Sequence, residues 1–133
     1  MIGEKNTVTF TVGLERLASH MGSGDLDVLA TPAMIAEMER AACTLLARFL
    51  EPGQTSVGTA MDVSHTSATP SGMAAEASAE IVAAEGRRVD FTVSARDAAG
   101  EIGRGTHSRV IVDAARFQQK TDAKAGAAER KSS

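Results

Sequence analysis

Tryptophan and tyrosine are missing from this chain, cysteine occurs once, and proline occurs three times in 133 residues. Without the two large amphipathic rings there is little from which to build stacking platforms for single strands or sugars. The lone Cys43 cannot form an intramolecular disulfide, and one cysteine with three histidines in these positions does not furnish a four-ligand zinc cage. Its place on an apolar helical arc makes it a small buried hydrophobe. A basic excess is also missing. The 14 Lys and Arg against 17 Asp and Glu leave a net charge of −3, which gives no reason to expect nucleic acid or an anionic membrane as partner. No apolar run reaches the roughly 18 residues of a membrane span, and the N-terminus lacks the basic-then-apolar order of a secretory signal. A cytoplasmic protein is expected, with no metal and no organic cofactor.

What is present is patterned. Residues 6–13 alternate Val8, Phe10 and Val12 against Thr7, Thr9 and Thr11, the period of a half-buried strand. The stretch 14–30 has no steady period and carries a Gly-Ser-Gly-Asp cluster at 22–25, which predicts a mobile loop with a helical turn, of the kind that forms lids. Thr31 before Pro32 suits an N-cap followed by proline at the first helical position, and Pro52 with Gly53 ends the helix. From Ser56 onward Val57, Thr59, Met61, Val63 and His65 fall on one face of a strand. Further strands are predicted over 73–85, 88–96 and 101–113, joined by short turns; Gly103 and Gly105 mark places of close approach on the last. One strand, one long helix and four strands predict an α+β fold, an antiparallel sheet with a single covering helix. Such a sheet has an exposed edge, which pairing with a second copy would hide, so a homodimer is expected. Residues 1–117 form one domain in this reading, and the polar segment 118–133 is expected to be poorly ordered.

One carboxylate breaks the helical pattern. Wound at about 100° per residue, positions 34–50 separate into a broad apolar arc and a polar strip holding Glu37, Arg40, Thr44 and Arg48. Glu39 falls between Leu46 and Leu50, inside the arc, where desolvation opposes its charge. Either it snorkels at the edge of the contact or a polar partner meets it there. His65, at the end of an apolar strand face, is the second anomaly. His107 makes no comparable case and is read as a structural or interface residue.

The segments "TPAMIAEMERAA", "FLEPGQTSVGTAMDVSHTSATPSG", "EGRRVDFTVSARD" and "EIGRGTHSRVIV" closely resemble the fluoroacetyl-CoA thioesterase family of hotdog fold, over about residues 28–117. That resemblance implies a sheet wrapped around the central helix and a catalytic set of threonine, glutamate and histidine, whose spacing lands on Thr31, Glu39 and His65. The family's functionally implicated glycine, seven residues before the histidine, falls on Gly58. It also implies that Glu39 and His65 meet across a dry cleft between helix and sheet. The thioester carbonyl is expected at the helix N-terminus, at Pro32 and Ala33, where free amides and the macrodipole favour an oxyanion. One departure stands out: the phenylalanine lid of the fluoroacetyl-CoA hydrolases corresponds here to "SGDLDVLA", with Asp25 near the lid position.

The expected activity is therefore hydrolysis of a short or medium acyl-CoA thioester. Two alternatives belong to other classes: a non-catalytic acyl-CoA binding module, and a hotdog dehydratase that moves protons on a β-hydroxyacyl group.

Overall fold

The computed structural model describes residues 1–132, with side-chain surroundings given through residue 127. Strand β1 (Lys5–Thr11) leads through a 3₁₀ turn (Leu14–Arg16) and a single helical turn, α1 (Ala18–Met21), to the long helix α2 (Thr31–Ala47). Four strands follow, β2 (Gln54–His65), β3 (Ala74–Glu85), β4 (Arg88–Asp97) and β5 (Gly100–Asp113), and then helix α3 (Ala114–Ser132). All pairings are antiparallel, and the sheet order is β1-β3-β4-β5-β2. Strands β1 and β2 are the two edges.

The sheet curls around α2 because alternation along β3 and β4 gives one fully apolar face. Ala75, Ala77, Ala79 and Ile81 stand beside Val89, Phe91, Val93 and Ala95, all nearly inaccessible. Against them α2 sets Met34, Met38, Ala41, Ala42, Leu45 and Leu46, at 0 % exposure. Small alanines on the strands let the helix lie close; truncating one of the buried leucines to alanine would cost about 2–5 kcal/mol. This is an α+β, hotdog-type arrangement.

Several boundaries depart from the sequence reading. Ala30 occupies the N-cap of α2 without a side-chain cap, and Thr31 is its first residue, so the threonine hydroxyl is free for another partner. The helix stops at Ala47, three residues before Leu50. In β2 a bulge between Gly58 and Ala60 shifts the register by one, so Ser56 and Gly58 face the helix before it, and Met61, Val63 and His65 after it. Val57 and Thr59 therefore do not share the face of Met61.

The segment before α2 is tied at both ends. Bridges join Leu17 to Leu29 and Val28 to Pro70, while residues 20–27 between them are exposed. A buried bond from the Thr69 hydroxyl to Asp97 (2.8 Å) anchors the loop that receives Val28. Beyond Phe117, where the sequence predicts little order, the chain is helical through Ser132. Alanine, lysine, glutamine and glutamate favour helix there without any core to join. Its described residues are almost all exposed, and its start is held by the Ala114 amide on the Gly53 carbonyl.

Candidate active site

Two clusters of polar side chains lie along the α2–β2 edge. The first sits at the N-terminus of α2. β2 ends at His65, whose partner on β5 is Gly103. A Cβ on Gly103 would stand 2.7 Å from the Met34 sulfur, so glycine there lets the first turn of α2 close onto the sheet. Thr31 is thereby brought over His65, with its Oγ1 2.7 Å from Nδ1. Burial lowers the pKa of His65 below its ordinary 6.5, opposed by the nearby Ser67 backbone, so the ring is neutral at neutral pH. Its Nε2 is buried and has no hydrogen-bond partner among the described residues. A cleft of about 270 Å³ opens here, lined by Thr31, His65, Ser67 and, from the segment before α2, Ser23 and Val28. Ala33, two residues on from Thr31, is buried and does not line the cleft. An α-helix leaves its first amides unpaired, and the first bond here runs from Met34 to the Ala30 carbonyl. Pro32 has no N–H, so Thr31 and Ala33 supply the free donors at this end.

The second cluster surrounds Glu39. Its Oε2 lies 3.8 Å from Nη1 of Arg109 on β5, and a Cβ on Gly58 would approach that same oxygen to 3.0 Å. His107 stands two residues from Arg109 and on the same face. Glu39, Gly58, Thr59, Met61 and His107 line a cleft of about 260 Å³. Among the described residues no three of His, Cys, Asp and Glu converge as metal ligands.

The sequence-expected site residues therefore come together in pairs: Thr31 with His65, and Glu39 with Gly58. The expected contact between Glu39 and His65 is not made within one chain. Eight helical residues put Glu39 about 12 Å along the axis from Thr31, and seven strand residues put Gly58 about 23 Å from His65. The helical wheel also exchanged two carboxylates. Glu39 is the more accessible one, its side chain 45 % exposed, whereas Glu37, assigned to the polar strip, is at 9 %. Glu37 is held by Arg16 (3.1 Å) and Arg40 (2.6 Å), and Arg16 also caps the Thr11 carbonyl beneath Phe10. A wheel ranks positions by spacing and cannot show that the 3₁₀ turn after β1 brings an arginine over the strip. Arg109 was not singled out from the sequence. Its signal was available, since a charged residue occupies an inward position of an alternating strand, as Glu39 does on the helix.

Sheet, central helix and polar clusters define a protein of the hotdog class, and solved structures agree. A Thermus thermophilus hypothetical protein of the thioesterase superfamily superposes with a TM-score of 0.90 at 26 % identity, covering 98 % of this chain and 96 % of that one. A hot-dog-like protein from Thermanaerovibrio acidaminovorans, at 20 % identity and a TM-score of 0.84, covers 92 % and 91 % and shares the fold. More specifically, residues 12–115 match the family described as FlK, fluoroacetyl-CoA-specific thioesterase. The fluoroacetyl-CoA thioesterase of Streptantibioticus cattleyicolor is 38 % identical over 125 residues, 90 % of each chain. The solved structure of the fluoroacetyl-CoA thioesterase FlK has a TM-score of 0.87, covering 93 % of this chain and 96 % of that one. The chain belongs to the fluoroacetyl-CoA thioesterase family.

Proposed function

We propose that this protein hydrolyses the thioester of a short or medium acyl-CoA to the free acid and CoA, as a cytoplasmic homodimer. The observation that carries the reading is the Thr31–His65 hydrogen bond at the open N-terminus of α2, with the His65 Nε2 buried and unpartnered beside a cleft. Buried polar atoms are nearly always paired, so an orphan on a residue that lines a cleft points to a site that another group completes. Kinship with enzymes that act on fluoroacetyl-CoA, one of whose variants is solved with acetyl-CoA, supports the substrate class.

A second copy supplies the missing group. The outer edge of β2 carries unpaired backbone along 12 residues, flanked by half-buried Ile35, Val57, Met61 and Val63. Pairing β2 antiparallel with itself about a two-fold axis near Met61 and Asp62 sets His65 of one copy beside Gly58 of the other. Glu39 adjoins Gly58, so the site joins Thr31 and His65 of one copy to Glu39 of the other.

In this site the thioester carbonyl accepts from the Ala33 amide, and the macrodipole stabilises the oxyanion. Glu39 then acts by one of two routes. As base it takes a proton from water, whose oxygen bonds to the carbonyl carbon; the C–S bond breaks, and that proton reaches the thiolate directly or through His65. As nucleophile it forms an acyl-enzyme anhydride that water cleaves. Neutral His65 does not itself bring the proton. Single turnover in ¹⁸O water, followed by mass measurement of residues around Glu39, separates the routes. The exposed Asp25, in place of the apolar lid residue that the resemblance implies, argues against selection for fluoroacetyl by that lid.

A panel of acyl-CoA thioesters assayed with a thiol-reactive dye tests the reading. Steady release of CoA from the parent and a loss of at least about 10²-fold in Glu39→Gln are expected. Binding without release would instead make the protein an acyl-CoA binding module, and loss of water from a β-hydroxyacyl-CoA would make it a dehydratase.

A further inference from the structure

His107 is 2 % exposed on β5, opposite Met61 of β2 and Phe91 of β4. Its ring stacks on that of Phe91, with centroids 5.8 Å apart. Nδ1 lies 2.8 Å from the Ala60 carbonyl oxygen. A carbonyl only accepts, so Nδ1 carries the hydrogen. On the other side Nε2 lies 3.2 Å from Nη1 of Arg109. A guanidinium only donates and keeps its charge, so Nε2 must present a lone pair. The two contacts together admit one state, the neutral imidazole protonated on Nδ1.

Arg109 is fixed on all sides. Its Nε donates to the Ser56 hydroxyl (2.8 Å) and its Nη2 to the Ser56 carbonyl (3.0 Å), while Nη1 meets His107 and turns toward Glu39 Oε2 at 3.8 Å. Ser56 holds the Nε–Nη2 edge of the planar guanidinium, and His107 holds the Nη1 corner, the one that faces Glu39.

We propose that His107 is a positioning residue of the hydrolytic site: as a neutral acceptor for Nη1 it holds the Arg109 guanidinium against the carboxylate of Glu39. The inference rests on Glu39 being the reacting carboxylate. A glutamate on a half-open cleft has three free side-chain torsions, and a fixed cation beside it selects the rotamers that face the substrate. Protonation of His107 would set Nε2–H against the guanidinium and release the arginine. The environment opposes that protonation: burial lowers the pKa, the Ala60 bond raises it, the Arg109 charge lowers it and the Glu39 charge raises it. β5 supplies Arg109, α2 supplies Glu39, β2 offers uncharged Ser56, Gly58 and the Ala60 carbonyl, and β4 offers the Phe91 ring. Asp90 of β4 is engaged with Arg88 and Ser108, the outward neighbours in the alternation.

Three substitutions in the full chain test this. His107→Phe keeps the stack and removes the acceptor; His107→Asn keeps a donor for Ala60 but does not reach Arg109; His107→Gln restores an oxygen at the reach of Nε2. The expected result is a kcat lower by about tenfold or more in Phe and Asn, with KM within about threefold, and recovery in Gln to within about threefold of the parent. A packing role alone predicts the opposite order, with Phe near the parent and Asn and Gln both impaired, and would overturn the proposal. Nitrogen-15 spectra of the parent's imidazole supply a second readout that does not depend on how the variants fold: a neutral ring protonated on Nδ1 near pH 7 is expected, and the Nε2–H tautomer or an imidazolium would refute it. Should Glu39→Gln hydrolyse normally, the reading of the site fails and the inference with it. Should Glu39→Gln be inactive and His107→Phe keep its kcat, only the inference falls.

Discussion

Gly58 on β2 faces Glu39 on α2 so closely that a Cβ at the glycine would stand 3.0 Å from the carboxylate Oε2, with His107 and Arg109 just behind it at 3.3 and 3.4 Å. The backbone at Gly58 is not in the left-handed region, so room for the carboxylate, and not φ, is what glycine provides there. Gly58→Ala should displace Glu39 and lower kcat by about tenfold or more while the melting temperature changes by only a few degrees. Full activity in the alanine variant would show that the carboxylate does not need its present position.

Glu37 and Glu39 are two residues apart on one helix and should respond oppositely to the same substitution. Glu37→Gln strands Arg16 and Arg40, each partly exposed, and should cost about 1–3 kcal/mol of stability with kcat nearly unchanged. Glu39→Gln should lower turnover by at least about 10²-fold with little change in stability, since its side chain is 45 % exposed and its cationic neighbour, Arg109, lies 3.8 Å away. Urea unfolding and a thioester assay on both variants check this. Equal effects on stability would mean that the two carboxylates are not distinguished as their contacts imply.

Much of this architecture was legible in the sequence. The strand alternations of β1, β4 and β5 carry their own evidence because a side-chain period of two, with apolar residues on one side, admits few other structures, whereas over 73–85 the composition also suits a helix and the alternation is what points to β3. The long helix was equally plain. What remained hidden depends on neighbours. The bulge at Gly58/Ala60 cannot be seen in β2 alone, because it is a mismatch with β5, and it moves Gly58 onto the face of Glu39. The Thr31 hydroxyl looked like a helix cap and instead bonds His65, since folding brings a better partner than its own amides. Thr31, Glu39 and His65 were singled out by resemblance to a family, and that resemblance does not say that they are divided between two clefts.

Acidification should destabilise the fold from about neutral pH downward. Burial depresses the pKa of both His65 and His107 below 6.5. The unfolded chain therefore binds protons before the folded one, and stability present in full above about 6.5 is lost as pH falls through the depressed values. Melting temperatures at pH 8, 6.5 and 5.5 should drop over the last interval, and His107→Gln should reduce that drop. A flat or rising profile would contradict the neutral, buried state of the two rings.

Among its described residues, helix α3 is attached to the domain mainly near its start and adds nothing to the core. We expect a chain ending at residue 117 to melt within a few degrees of the full protein and to keep its thioesterase activity. A large loss of either would assign α3 a role in packing or in the site.

Complementation between two inactive variants measures the central claim, a thioesterase site built from two copies. His65→Ala and Glu39→Gln are each expected to be inactive as homodimers. Unfolded together and refolded as a mixture, half of the dimers are mixed, and one of the two sites in each mixed dimer has intact Thr31, His65 and Glu39. Thioester hydrolysis should then recover to about a quarter of the parent's rate. No recovery, in a mixture shown by mass to contain the mixed dimer, would contradict a site shared between copies.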